Sequence, residues 1–166
     1  VNCQGAGNVH KVAIRQEIID RVLARRGRVH LFYRFAAGET AMLNIDMQPT
    51  FVAPGSPAEV PAARGIVSAI ADTADQLRAR GVLIVWVTHA NSAVGSGSDW
   101  DGFFNVFVAD EVRASTIASL SKNSPDTHIW HEFDVAAGDV HVFKNRYSAL
   151  IHGSSTLERI LRSCGI

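Results

Sequence analysis

The sequence has 166 residues, with 16 basic and 16 acidic side chains, and this length suffices for one domain with its own core. The even charge argues against nucleic acid as a partner. No apolar run approaches the roughly 20 residues that cross a bilayer. Its two cysteines, Cys3 and Cys164, make no disulfide framework. These features predict a cytoplasmic protein that binds neither a membrane nor nucleic acid.

Residues 1–36 are predicted to form an N-terminal helix and arm, separate from a domain that covers residues 37–166. Ile14 and Ile18 lie four residues apart on one face of a helix that runs from about residue 11 to 26. Gly27 suits the end of that helix. A helix of this kind packs against the protein or against another copy, and we expect a homo-oligomer.

Apolar runs over residues 40–48 and 82–88 predict two strands, each buried on both faces as in a parallel sheet. Ser56 and Glu59 have the spacing of a capping box, which predicts that the helix between the strands begins there. Strand, helix and strand joined by short connections make a right-handed βαβ unit. The sequence therefore predicts an α/β fold: a doubly wound, mainly parallel sheet flanked by helices in three layers.

Charged side chains end two of the predicted strands. Asp46 closes the first, and Lys144 closes a third strand over residues 139–144. The carboxyl ends of parallel strands lie on one rim, where open α/β sheets bind ligands. The two charges are expected to meet there if their strands are neighbours. The alternative is two solvated strand ends.

Residues 92–138 show little periodicity apart from a short helix predicted near residues 109–120. Trp100 and the phenylalanines that follow it are apolar anchors in an otherwise polar loop. Long insertions of this kind often form lids or interfaces. Both interpretations stay open for this segment.

Three blocks of sequence carry a resemblance to a known family. They are Leu43 to Gln48 with Phe51, Lys144 to Leu150, and Leu157 to Leu161 with Gly165-Ile166. In this order they resemble the isochorismatase-like cysteine hydrolases. The resemblance implies a parallel α/β sandwich with a Cys–Asp–Lys triad, in which Asp46 is the acid and Lys144 the lysine. It also implies hydrolysis of a C–N bond in a small amide or ureido substrate, without a cofactor.

The family's cysteine has no match in this sequence. It follows the next strand in the family, whereas Cys164 falls on the apolar stripe of the preceding helix and is expected to be buried and inert. Cys3 lies in a polar terminal stretch far from the motifs. We therefore expect the sequence to be the N-terminal part of a longer protein, with the nucleophile and the C-terminal strands beyond Ile166. The remainder could be cut away, disordered or carried as another chain.

Polar and aromatic side chains near the strand ends are the predicted substrate contacts. They are Gln48, Phe51, His89, Asn91, Trp100 and Tyr147. Gln48 is also compatible with bonding to the loop backbone, His89 with a structural hydrogen bond, and Tyr147 with capping the sheet.

No metal is predicted. Some relatives bind one through an acid–aromatic–histidine motif, but Asp99-Trp100-Asp101 lacks the histidine. His128 and His131 are interpreted as part of a surface loop.

Two other functions remain open from the sequence. Some relatives hydrolyse the vinyl ether of isochorismate without a cysteine, and others could retain the fold as non-catalytic binding domains. A cysteine at the start of the helix that follows the next strand would favour the amidase, and a glycine or alanine there would favour the alternatives.

Overall fold

The computed structural model describes residues 13–95 and 97–166. Its centre is a parallel sheet built from β1 (Ala41–Ile45), β2 (Leu83–His89) and β5 (Val140–Lys144), with β2 in the middle. Helix α3 (Val67–Arg78) connects β1 to β2, and α6 (Leu157–Ser163) follows β5. The predicted parallel α/β fold is confirmed.

Alternation along β2 builds a core on each side of the sheet. Ile84 and Trp86 face the layer that contains α3, whereas Val85 and Val87 face the layer that contains Leu157 of α6. Successive side chains of a strand point to opposite faces, so a strand with a helix layer on each side is apolar throughout. The prediction of burial on both faces is confirmed for β2.

The same prediction is wrong for β1. This strand lies at an edge of the described sheet, where Leu43 is 36% exposed and Ile45 is 50% exposed. Asn44, which faces the other way, is buried. One face of β1 therefore packs into the core. The other face is largely uncovered by the residues that the structure describes.

The predicted capping box does not begin the helix between β1 and β2. Glu59 accepts a hydrogen bond from the Gly55 backbone N–H, and Ser56 Oγ donates to the Thr50 carbonyl. Both side chains thus hold a loop, and α3 begins only at Val67, after a 3-10 segment (Pro61–Ile66). Local spacing alone could not separate loop bonds from a helix cap.

Helix α1 (Gln16–Arg26) ends at Gly27, whose φ of 67° is left-handed and whose N–H bonds to the Leu23 carbonyl. The predicted helix is therefore confirmed in its described part, and none of its residues is buried. The following arm, residues 28–36, contains no strand. In the described part of the chain, no helix has both the length and the apolar character needed to cross a membrane.

The insertion between β2 and β5 contains more regular structure than predicted. Helix α5 (Asp110–Ser119) agrees with the helix predicted near residues 109–120, and α4 (Asp101–Phe107) was missed. Its residues Phe103, Val106 and Phe107 have helical i, i+3, i+4 spacing, but the helix has only seven residues, so the pattern is too short to be distinctive. The insertion also contains β3 (Ala93–Val94), β4 (Gly97–Ser98) and the 3-10 segment Pro125–Thr127. Two further short elements lie outside it, namely α2 (Pro49–Val52) and the 3-10 segment Ala37–Glu39.

Candidate active site

Asp46 lies directly after β1 in a left-handed conformation, with φ of 62°. Its N–H donates to the Val87 carbonyl at 2.8 Å, which fixes the turn to the end of β2. A non-glycine residue in this region costs on the order of 1–3 kcal/mol and is found most often at functional sites. Asp and Asn tolerate it better than most residues do. The turn therefore aims the Asp46 side chain over the carboxyl edge of the sheet.

Lys144 reaches Asp46 across the end of β2. Its Nζ lies 3.0 Å from Asp46 Oδ1, so the two charges meet as predicted. Their strands are not neighbours, because β2 lies between them. Two strand spacings separate the strands by about 10 Å, and the long lysine side chain spans much of that gap.

The two charges differ in their exposure to solvent. The Lys144 side chain is 2% exposed, and the Asp46 side chain is 34% exposed. A buried ammonium ion is costly unless anions and hydrogen-bond acceptors compensate for its lost hydration. Asp46 supplies the negative charge, although the alignment at Oδ1 is not that of a hydrogen bond, and the Arg146 carbonyl accepts from Nζ at 3.3 Å. The Asp46 side chain therefore stays partly open to solvent.

A chain of polar side chains continues from Lys144 into the protein. His89 Nδ1 lies 3.5 Å from Lys144 Nζ, and its Nε2 lies 2.8 Å from Asn91 Oδ1. The Asn91 amide donates to Asp99 Oδ1 at 2.6 Å and to the Asn145 carbonyl at 3.3 Å. His89 and Asn91 are 4% and 3% exposed. Both were predicted to contact substrate, with a structural hydrogen bond as the alternative for His89. The structure gives their polar atoms protein partners, and contact with a substrate remains a prediction.

Gln48 is completely buried. Its Oε1 accepts from the His89 backbone N–H at 2.6 Å, and its Nε2 donates to the carbonyls of His89 and Asp126. The side chain thus ties the loop after β1 to the end of β2. Of the two predicted roles, the structure shows bonding to the backbone, which leaves neither amide hydrogen free for a substrate.

Aromatic side chains from the insertion and from the loop after β5 form one wall beside the charged pair. Trp100 stacks on His89 with centroids 5.5 Å apart, and Tyr147 meets Trp100 edge-on at 5.0 Å. Tyr147 is 70% exposed, and Phe51 is half-buried. Contact of Trp100, Tyr147 and Phe51 with a substrate remains a prediction.

The sequence analysis did not identify three polar residues that belong to the hydrogen-bond network around Asn91. Asn145 Nδ2 donates to Asp99 Oδ2 at 2.9 Å, and the Arg146 guanidinium donates to the Asp99 carbonyl and lies over the Trp100 ring. Asp99 was considered only as part of a metal motif. Its partners Asn91 and Asn145 stand 8 and 46 residues away, and no local pattern links them.

The described cysteine lies far from this site. Cys164 borders a cavity together with Thr40, Val82 and Asp139, at the amino ends of the strands. A strand of five or six residues places that end roughly 15–20 Å from Asp46. Cys164 is also exposed, so the expectation that it is buried is wrong. Cys3 lies outside the described residues.

Within residues 13–95 and 97–166, no group of three or more His, Cys, Asp or Glu side chains is arranged to hold a metal ion. That His128 and His131 serve only as a surface pair, without a metal, remains a prediction. Stoichiometric zinc in the purified protein would contradict it.

Burial is the main cause of a lowered pKa at His89, and the nearby Lys144 charge lowers it further from the usual 6.5. The unfolded chain therefore binds this proton at higher pH than the folded chain does. The stability due to the neutral ring is present above about pH 6.5 and is lost as pH falls towards the folded pKa. We expect the free energy of unfolding, measured in urea, to decrease between about pH 7 and pH 5, and less steeply in His89→Asn.

His141 provides the control for this measurement. Burial and the neighbouring His128 also lower its pKa, so it contributes to acid sensitivity with the same sign. His141→Asn should remove its own share and leave that of His89. An unchanged pH slope in His89→Asn would contradict the assignment.

An acid and a lysine that meet above the carboxyl ends of parallel strands define an α/β protein with a polar site at the sheet edge. Residues 40–166 match the family model for the isochorismatase domain. The chain therefore belongs to the isochorismatase family, as the resemblance indicated.

Solved structures with the same fold include three with informative names. A cysteine hydrolase from Pseudomonas syringae pv. phaseolicola 1448A is 24% identical, with a TM-score of 0.68, over 81% of this chain and 58% of that one. An isochorismatase family protein from Desulfovibrio vulgaris subsp. vulgaris str. Hildenborough is 27% identical, with a TM-score of 0.58, over 77% and 63%. N-carbamoylsarcosine amidase from Thermoplasma acidophilum is 20% identical, with a TM-score of 0.58, over 76% and 62%.

The alignments thus span less than two thirds of each of these three chains. No protein with a curated description matches the sequence significantly.

Proposed function

We propose that the protein is a hydrolase that cleaves a C–N bond of a small amide or ureido substrate. In this proposal Asp46 and Lys144 act with a cysteine thiol that we place beyond Ile166. The observation that carries the proposal is the 3.0 Å pair of Asp46 and Lys144 at the carboxyl edge of the sheet, in a chain of the isochorismatase family. The site would act on a small molecule without a cofactor, in a cytoplasmic homo-oligomer.

Asp46 first takes the thiol proton, and the thiolate attacks the carbonyl carbon of the substrate. Protonated Asp46 then gives that proton to the departing nitrogen as the C–N bond breaks. Water, deprotonated by Asp46, then attacks the resulting thioester, or the thiocarbamate that a ureido substrate leaves. Protonated Asp46 returns its proton to the departing thiolate, which regenerates the thiol. The ammonium group of Lys144 lies 3.0 Å from Oδ1 and holds the carboxylate in place by charge attraction.

The names of two similar structures support this bond type. They describe a cysteine hydrolase and an N-carbamoylsarcosine amidase, and the second name indicates an amide-like C–N bond. At 24% and 20% identity these structures share the fold, so the substrate of this protein has to be measured directly.

A specific observation keeps the vinyl-ether hydrolase as the second candidate. Cys164 lies at the opposite end of the sheet from Asp46, so the described site itself contains no thiol. An acid alone can protonate a vinyl ether, and this reaction would use Asp46 as the proton donor. A binding domain without activity is the remaining alternative.

The test measures ammonia or amine release by the full-length protein from a panel of amides and ureides, and product formation from isochorismate in parallel. Each reaction is repeated after alkylation of thiols with iodoacetamide. Amide cleavage that alkylation abolishes supports the proposal. Vinyl-ether cleavage that survives alkylation establishes the second candidate, and no turnover of either class favours the binding domain.

A further inference from the structure

The groups around Lys144 Nζ come from three different parts of the chain. They are Asp46 Oδ1 at 3.0 Å, the Arg146 carbonyl at 3.3 Å and His89 Nδ1 at 3.5 Å. Asp46 is an ion-pair partner without hydrogen-bond alignment, whereas the Arg146 carbonyl and His89 Nδ1 are positioned as acceptors for two of the three ammonium hydrogens. His89 is also the partner of Lys144 in the register between β2 and β5, and its ring lies beside the path by which Lys144 reaches Asp46.

The hydrogen bonds around Asn91 determine which nitrogen of His89 carries the proton. Asn91 Nδ2 faces two acceptors, Asp99 Oδ1 at 2.6 Å and the Asn145 carbonyl at 3.3 Å. This fixes the amide with its oxygen towards His89, where Nε2 lies at 2.8 Å. An amide oxygen only accepts, so Nε2 must be the protonated nitrogen and Nδ1 carries the lone pair.

We propose that His89 is a positioning residue for Lys144, held as the neutral Nε2–H tautomer by Asn91 and Asp99. Its Nδ1 lone pair then faces the ammonium group and steers it towards Asp46. The opposite tautomer would turn an N–H towards the ammonium at the same distance and push it away. Asp99 acts on Lys144 through two intervening side chains, Asn91 and His89, by fixing the orientation of the Asn91 amide.

Burial explains why this role falls to His89 and not to a water molecule. His89 is 4% exposed and Lys144 2% exposed, and Trp100 stacks on the imidazole ring. The charged groups that act on His89 are Lys144, Asp46 and Asp99, with Arg146 on the Trp100 ring that covers it. Within this enclosure, a side chain that presents an acceptor takes the place of solvent.

Two substitutions at His89 test the roles of Nδ1 and Nε2 separately. In His89→Asn the amide oxygen can take the place of Nδ1 and still accept from Lys144, but the bond to Asn91 is lost. In His89→Gln the amide nitrogen can take the place of Nε2 and keep Asn91, but the acceptor for Lys144 is lost. The proposal predicts that Lys144 stays in place in His89→Asn and moves in His89→Gln.

Reductive methylation with carbon-13 formaldehyde measures the accessibility of each lysine without requiring turnover. We expect Lys144 to react as slowly in His89→Asn as in the unmodified protein, and at least about 10-fold faster in His89→Gln, a change worth about 1.4 kcal/mol. Lys122, which is exposed, is the internal reference. The same two substitutions at His141 are the matched controls and should leave Lys144 protected.

Equal labelling of Lys144 in the two His89 variants, or faster labelling in His89→Asn, would overturn the proposal. If neither variant folds, the tautomer of His89 in the unmodified protein still tests the proposal. A long-range proton–nitrogen correlation spectrum of histidine-labelled protein must show His89 as the Nε2–H tautomer, and an Nδ1–H ring refutes the proposal.

The consequence for turnover rests on the proposed function, whereas labelling and tautomer do not. If the protein is the hydrolase, kcat should fall more in His89→Gln than in His89→Asn, with KM little changed in both. Absence of any turnover together with the expected labelling would refute the hydrolase and leave the role of His89 standing.

Discussion

Replacing Asp46 with asparagine is expected to lower kcat of the full-length protein by about 10²–10⁴-fold, the usual contribution of a general acid–base group. Asparagine has nearly the same shape and cannot carry the proton between thiol and leaving group. It also tolerates the left-handed backbone that this position adopts, with φ of 62°. The turn after β1 should therefore survive, and the loss should appear in kcat more than in stability.

Asp72→Asn is the matched control for this variant. Asp72 is an exposed residue of α3, so the same chemical change far from the site should leave kcat within about twofold of the unmodified value. Steady-state rates of ammonia release and thermal unfolding of both variants complete the comparison. Near-normal turnover in Asp46→Asn with an intact fold would remove Asp46 from the mechanism.

Lys144→Met is expected to have the second large effect, a loss of about 10²–10³-fold in kcat, comparable to removing one preorganised electrostatic group. Methionine approximates the length of the lysine chain but removes the positive charge beside Asp46 Oδ1. The carboxylate would then lose the positive charge that holds it in position above the sheet edge.

The fold should tolerate Lys144→Met better than the loss of a fully buried ion pair partner, which costs roughly 3–5 kcal/mol. The Asp46 side chain left behind is 34% exposed, so water can solvate its charge. Lys122→Met, on the surface, is the control for losing a lysine. Full activity in Lys144→Met would contradict the role of the ammonium group, and an unfolded protein would show that its main contribution is structural.

Much of the fold follows from local pattern. The apolar run of β2 is recognisable because a strand buried on both faces needs apolar side chains throughout. The segment that ends in Lys144 is different, since Val142 is buried and Phe143 is 40% exposed. The charged residues that the structure brings together lie at the ends of β1 and β5. Element boundaries were less predictable, since Ser56 and Glu59 have the spacing of a cap and instead bond within a loop.

The roles of the site residues were predictable only in part. Asp46 and Lys144 were expected to meet because parallel strands share one carboxyl edge. His89 and Asn91 were placed at that edge correctly, and their predicted contact with substrate remains a prediction. Their burial and their protein partners come from Asp99, Asn145 and Trp100, residues of the insertion and of the loop after β5, and no spacing rule relates these segments to β2.

The parallel α/β fold, and the rim on which two opposite charges lie, could be read from the amino-acid pattern, because side-chain periodicity is a local property of the chain. Three features required the folded molecule: β2 separates the two charged strands, Asp46 adopts a left-handed turn, and Asn91 selects the tautomer of His89. These features depend on strand order and on contacts between distant segments. The free energy of such contacts appears only when the chain has folded.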